Sequence, residues 1–212
     1  LPEGLNIGRG LNEYECFGNL KALAAKNKIY RSYIGMGYYN VITPGVITRN
    51  ILENPGWYTS YTPYQAEISQ GRLEALLNYQ TVISDMTAMP LANASLLDEA
   101  TAASQVKAGV NRFFVANDVF PHTVDVIKTR AYHLGIEVVV DDVKNFSAGE
   151  EYFGILVQCP NQYGRIINYS EEVKAWKEKG MQVAVASDLM SLALITPPGE
   201  WGADAVVGSS QR

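Results

Sequence analysis

RFFVANDVFPHTVDVIKTRAYHLGIEVVV, residues 112–140, decides the fold. Its two ends, Arg112–Ala116 and Ile136–Val140, are short runs of β-branched and aromatic residues, apolar on both faces. Strands buried on both sides of a parallel sheet read this way, whereas a half-solvated antiparallel strand alternates. Between them Pro121 supplies a helix start and Gly135 a stop, with Val124, Ile127, Ala131 and Leu134 on one stripe. Strand, helix, strand in that order is a crossover unit joining parallel neighbours.

The pattern repeats downstream. Phe153–Gln158, Gln182–Ala186 and Ala205–Val207 read as further buried strands. Ser170–Lys179 reads as a helix, with Glu171 and Glu172 in its first turn, Lys177 and Lys179 in its last, and Gly180 after it. Charges so placed favour the helix dipole at both ends. The expected class is α/β, a mostly parallel sheet flanked by helices.

Upstream the texture is different, helical and rich in Tyr/Gly loops. Glu13–Asn27 carries Leu20, Leu23 and Ala24 on one face. Thr43 with Pro44 behind it marks a start for a helix bearing Val46, Ile47, Asn50 and Ile51, stopping near Asn54-Pro55-Gly56. Ser69–Ala88 is the strongest helix, striped by Leu73, Leu76, Leu77 and Ile83. Tyr79, Val82 and Met86 widen the stripe, so burial on more than one side is expected. The chain therefore divides into a helical segment, 1–92, and an α/β portion, 93–212. It opens on Leu1 and stops soon after a strand, so both ends read as continued elsewhere.

Of 212 residues, 47% are hydrophobic and 18% charged, against about 25% charged in ordinary globular chains. A disordered chain is excluded, and much of the surface is expected to be covered. The net charge of -5 comes without a Lys/Arg cluster, which argues against nucleic acid. Cys16 and Cys159 cannot form a disulfide framework, and His122 and His133 are too isolated for a zinc site. With no membrane span or leading signal segment visible, the chain reads as cytoplasmic, or of the mitochondrial matrix in a eukaryote. The sequons at Asn93, Asn145 and Asn168 then read as chance matches.

Several residues carry candidate chemistry. Gly8-x-Gly10 and Gly35-x-Gly37 lack the strand before, the helix after and the third glycine of a dinucleotide loop, and read as turns. Tyr33 and Tyr38 lie in the loop 32–39, and Tyr58, Tyr61 and Tyr64 in the loop 57–65. Tyrosine on loops is a rigid plate with a hydroxyl that needs a partner; it suits both a pocket wall and packing onto a core. Asp98-Glu99 reads as an acidic helix start. Asp188 follows a buried strand where α/β sheets hold ligands, or else caps the next segment. His122 in a first turn reads as solvated or capped. Ser209-Ser210 has no His or Asp at motif spacing. Arg49 and Arg72 are carboxylate clamps by chemistry alone, against a plain surface role.

Six stretches are long enough to compare with a family. They are Ser32-Tyr33-Ile34-Gly35-Met36-Gly37-Tyr38-Tyr39, Asn54-Pro55-Gly56-Trp57-Tyr58-Thr59, Tyr61-Thr62-Pro63-Tyr64-Gln65 followed by Glu67 and Ser69-Gln70-Gly71-Arg72, Ala92-Asn93-Ala94-Ser95-Leu96-Leu97-Asp98-Glu99, Pro197-Pro198-Gly199-Glu200, and Gly208-Ser209-Ser210-Gln211-Arg212. In this order they resemble the glycine decarboxylase, or P-protein, family of the glycine cleavage system.

The resemblance implies the large domain of a fold-type I pyridoxal-phosphate enzyme. In that family glycine loses its carboxyl as carbon dioxide and an aminomethyl group passes to the lipoyl arm of the H-protein. The family is built from two related halves, fused or separate, and this chain looks like most of the large domain of the amino-terminal half. The other half carries the Schiff-base lysine just after a late strand; the matching residue here is Gln211, whose amide cannot take that role. Pyridoxal 5'-phosphate is then expected on the lysine-bearing partner, with Asp188 left as a relic of the aspartate that elsewhere pairs with the pyridine nitrogen. Tyr61 and Tyr64, then Gln65, Tyr33 and Tyr38, are the expected walls of the pocket around glycine. Two departures stand out: a shorter connection between Ala103 and Arg112, and Phe120 where the family usually has His. Two other readings are a non-catalytic interaction subunit of the same fold and a different fold-type I enzyme with its own lysine.

Overall fold

The computed structural model describes residues 4, 8–58, 65–94, 96–103, 112–149 and 151–210. It divides into two compact units, Leu1–Tyr39 and Asn40–Arg212.

The first unit carries α1 (Glu13–Ala24). Asn12 and Glu15 form a reciprocal cap: Asn12 Oδ1 accepts from the Glu15 amide at 2.9 Å, and the Glu15 carboxylate accepts from the Asn12 amide at 3.1 Å. The helix ends three residues short of the expected Asn27, which instead donates its side-chain amide to the Ala24 carbonyl at 3.0 Å. Residues 32–39 make a tight turn closed by a bridge between Gly35 and Tyr38, with Gly35, Met36 and Gly37 at φ 68, 52 and 82°.

The second unit opens on α2 (Gly45–Ile47), which widens into a π-type turn at Thr48–Leu52. Its cap is Pro44, not Thr43, and no side chain accepts there. The β-branched run Val46-Ile47-Thr48 crowds a regular helix, consistent with the widening. α3 (Gln70–Thr87) follows and closes on Ala88 in the left-handed region, φ 55°. Thr87 is its one buried residue among those described; Leu76, Leu77, Val82 and Met86 stay exposed, so the expected burial on several sides does not occur within this chain.

α4 (Glu99–Ala103) leads to β1 (Arg112–Ala116), α5 (Pro121–His133), β2 (Glu137–Asp141), β3 (Gly154–Cys159), α6 (Ser170–Glu178), β4 (Gln182–Ser187), α7 (Pro198–Trp201) and β5 (Ala205–Val207). All neighbours pair in parallel, in the order β2-β1-β3-β4-β5. β1 and β5 have the limits read from the sequence, and the other strands differ by one residue at one or both ends. Leu134 falls outside α5 and is exposed, because Gly135 at φ 67° turns the chain before it can reach the core.

The core is the sheet's two faces. Val115, Ile155, Leu156, Val157, Val183 and Val185 are at most 1% exposed, each worth about 1.5–3 kcal/mol of burial. Phe114, Phe146, Tyr152 and Trp176 pack edge-on or tilted over one face. The edge strand β2 is only half-buried, and Arg112 pins it to β1 through Glu137 at 2.8 Å, while also reaching Glu151 at 2.5 Å. At the far side Lys177 on α6 pairs with Asp204 at 2.6 Å, and Asp204 also accepts from the Val183 amide at 2.7 Å. Among the described residues no helix is long and apolar enough to cross a membrane.

Candidate functional site

The carboxyl ends of the five strands share one edge, which is where open α/β sheets hold ligands. The strand order places the change of winding direction between β1 and β3. At that point two loops are bonded to each other. The Gln162 amide donates to the Asp118 carbonyl at 2.8 Å, and Gln162 Nε2 to the Asn117 carbonyl at 3.0 Å. Asn161 Nδ2 donates to Asp118 Oδ2 at 2.6 Å, and the Phe120 amide to Gln158 Oε1 at 2.9 Å. Asn161, 4% exposed, also accepts on Oδ1 from the amides of Tyr163 and Arg165. The two loops are thus bonded to each other across the switch point. A polar residue at the end of an otherwise apolar strand, Gln158, and another just beyond it, Asn161, were the sequence signal for this lock; reading each strand singly missed it.

Buried polar atoms collect near the same edge. Asp118 Oδ1, Thr123 Oγ1 and Ser187 Oγ are buried without a hydrogen-bond partner. Burial raises the Cys159 thiol and pushes the Tyr169 hydroxyl well above the usual phenol range, the latter with help from the charge of Asp118. Both groups are therefore held protonated.

Asp188 ends β4 as a cap: its carboxylate accepts from the Met190 amide at 2.9 Å, and its carbonyl from Ser191 Oγ at 2.7 Å. Asp98 caps α4, accepting from the amide and hydroxyl of Thr101 at 2.8 and 2.9 Å; these bonds lower its carboxyl below the ordinary value. His122 is exposed and stacks on Phe120, ring centres 5.4 Å apart. Arg49 donates to Asn50 at 3.0 Å, and Arg72 to the Trp57 carbonyl at 3.3 Å. After β5, Gly208 lies so close to β4 that a side chain there would overlap the Ser187 carbonyl.

Of the expected wall residues, Tyr33 and Tyr38 lie exposed in the first unit. Gln65 is exposed in the second, its carbonyl taken by Ser69 Oγ. Tyr61, Tyr64 and Gln211 lie outside the described residues, as does most of the 103–112 connection.

Pyridoxal phosphate does not fit these strand ends as a group held by this chain's described residues. Asp118, Asp141, Asp142 and Asp188 stand there, and the nearest cations by sequence, Lys144 and Arg165, are exposed. A doubly charged phosphate wants the reverse balance. The described residues after β3, β4 and β5, namely 160–169, 188–197 and 208–210, include no lysine. Among the described residues no group of three or more His, Cys, Asp or Glu could hold a metal.

Comparison with known proteins agrees with the fold and gives its family. The family model of the glycine cleavage system P-protein matches residues 1–212. A glycine dehydrogenase (decarboxylating) of Bacteroides thetaiotaomicron is 52% identical over all of this chain and 24% of its own length. One of Synechocystis sp. is 53% identical over all of this chain and 22% of its own. The chain thus spans about a quarter of the length of these relatives. The crystal structure of a glycine decarboxylase (P-protein) in inhibitor-bound form superposes with a TM-score of 0.82 at 29% identity, over all of this chain and 51% of that one. A methionine gamma lyase from Micromonospora echinospora, at TM-score 0.54 and 19% identity over 66% of this chain and 39% of its own, shares the fold. The order of strands, the helices between them and the match over every residue agree: the chain belongs to the glycine cleavage system P-protein family.

Proposed function

We propose that this chain is a part of one half of a glycine-decarboxylating enzyme, the half that supplies pocket wall and subunit interface. The lysine-bearing partner half holds pyridoxal phosphate, which supplies the electron sink for the carbon that loses its carboxyl. Glycine would first lose its carboxyl as carbon dioxide, and the remaining aminomethyl group would pass to one sulfur of the H-protein's lipoyl disulfide, whose S–S bond breaks and leaves the other sulfur as a thiol.

The observation that carries this reading is the state of the strand ends. They are acidic, bonded to one another at the switch point, and capped by Asp188 after β4. An edge so occupied suits a scaffold, and its Asp188 suits a cap that has outlived a cofactor contact. Tyr61, Tyr64 and Gln65 are assigned as the wall facing the partner's cofactor. A tyrosine there places its hydroxyl against glycine and its ring against the ligand face, excluding water.

In the intact enzyme, Tyr61→Phe and Tyr64→Phe should each lower release of labelled carbon dioxide from glycine about tenfold, the upper range for one hydrogen bond in a covered site. Assembly, read by size-exclusion chromatography, should stay intact. Unchanged release in both variants would instead favour a non-catalytic interaction subunit.

A further inference from the structure

The loop after β5 is held from two sides. At its root Gly208 rests against the Ser187 carbonyl at the end of β4. Two residues on, Tyr79 Oη donates to Ser210 Oγ at 2.9 Å, a bond between groups 131 positions apart. Tyr79 is half-buried at mid-α3, while Ser210 is exposed. The same helix touches the turn 189–193 that follows β4. One face of α3 therefore backs the ends of both late strands. Val82, three residues on and so beside Tyr79, is 52% exposed. A phenol suits this place, since its ring packs along the helix while its hydroxyl reaches a polar loop.

We propose that Tyr79 is a positioning residue for the loop after β5, setting Ser209 and Ser210 in place at the ligand-bearing edge of the sheet. This rests on the function proposed above, in which this half completes a partner's pocket. Tyr79 touches no reacting atom. It acts through Ser210, and the bond strengthens once a covering surface excludes water from it.

The test uses the intact enzyme with Tyr79→Phe, Ser210→Ala, the double variant and Ser210→Thr, which keeps an acceptor. Amide exchange at Ser209 and Ser210 should quicken about fivefold in each of the first two variants, the factor that one ordinary hydrogen bond is worth. The double variant should be no faster than either single one, because both remove the same bond. Ser210→Thr should match the wild type. kcat/KM for glycine should follow the same pattern, with the melting temperature unchanged. Unaltered exchange in Tyr79→Phe, effects that multiply in the double variant, or altered exchange with unaltered kcat/KM would each overturn the assignment. A wild-type enzyme that does not decarboxylate glycine would remove the proposed function, and with it the catalytic role of Tyr79, while the exchange data would still decide whether Tyr79 holds the loop.

Discussion

Gly199→Ala is expected to lower the melting temperature of the sheet-bearing unit by roughly 6–12 °C, the shift that about 3 kcal/mol produces in a domain of this size. A Cβ at this position would overlap the carbonyl of Ala88 and crowd that of Thr87. Both obstacles are backbone, so no side-chain rotation relieves them. On one side the end of α3 is set by Ala88 in the left-handed region and by buried Thr87, which donates to the Ile83 carbonyl at 2.7 Å. On the other, α7 is anchored by Trp201, 2% exposed, whose ring nitrogen donates to Thr196 at 2.8 Å. Neither side can give without losing packing, and overpacking of this kind costs about 1–3 kcal/mol or more. Differential scanning calorimetry of the intact protein reads the shift, and a change under about 2 °C would contradict the close approach of α3 to α7.

The second large effect is expected at Asn161. Alanine there removes the acceptor of two amides, at 3.1 and 3.0 Å, and the donor to Asp118 at 2.6 Å. Asp118 already has one buried oxygen without a partner, so its carboxylate would lose the bond that holds it between the two loops. Each buried group left unpaired costs about 1–3 kcal/mol; water recovers part of this at the exposed Tyr163 and Arg165, leaving about 3 kcal/mol. Asn161→Asp should do no better, because it sets a second carboxylate beside Asp118. Urea unfolding of the intact protein, with hydrogen exchange at residues 117–120 and 161–165, would show the loss and its location. A variant with unchanged exchange in both loops would contradict the lock at the switch point.

The sheet was largely legible in the sequence because parallel strands buried on both faces leave unbroken apolar runs, as at Arg112–Ala116 and Ala205–Val207. Pro121 and Gly135 likewise bounded α5. What could not be read was which apolar residues this chain covers by itself. The stripe of α3 shows Leu77 and Val82 to be apolar, but periodicity says nothing of the surface that meets them. The lock between Asn161 and Asp118 was illegible for a different reason. It joins residues 43 positions apart, and only the order of β1 and β3 brings their loops together. After β4 the sequence allows Asp188 either a ligand contact or a cap, and in the structure its carboxylate accepts from the Met190 amide, as a cap does.

The most direct test of the division of labour is where the cofactor is covalently held. The intact enzyme, loaded with pyridoxal phosphate, is reduced with borohydride, digested and mapped by mass spectrometry. The expected pyridoxyl-lysine lies outside residues 1–212 of this chain, in the partner half. A pyridoxyl group on any of the nine lysines of this chain, Lys144 after β2 or Lys107 included, would contradict the assignment of this half as wall and interface.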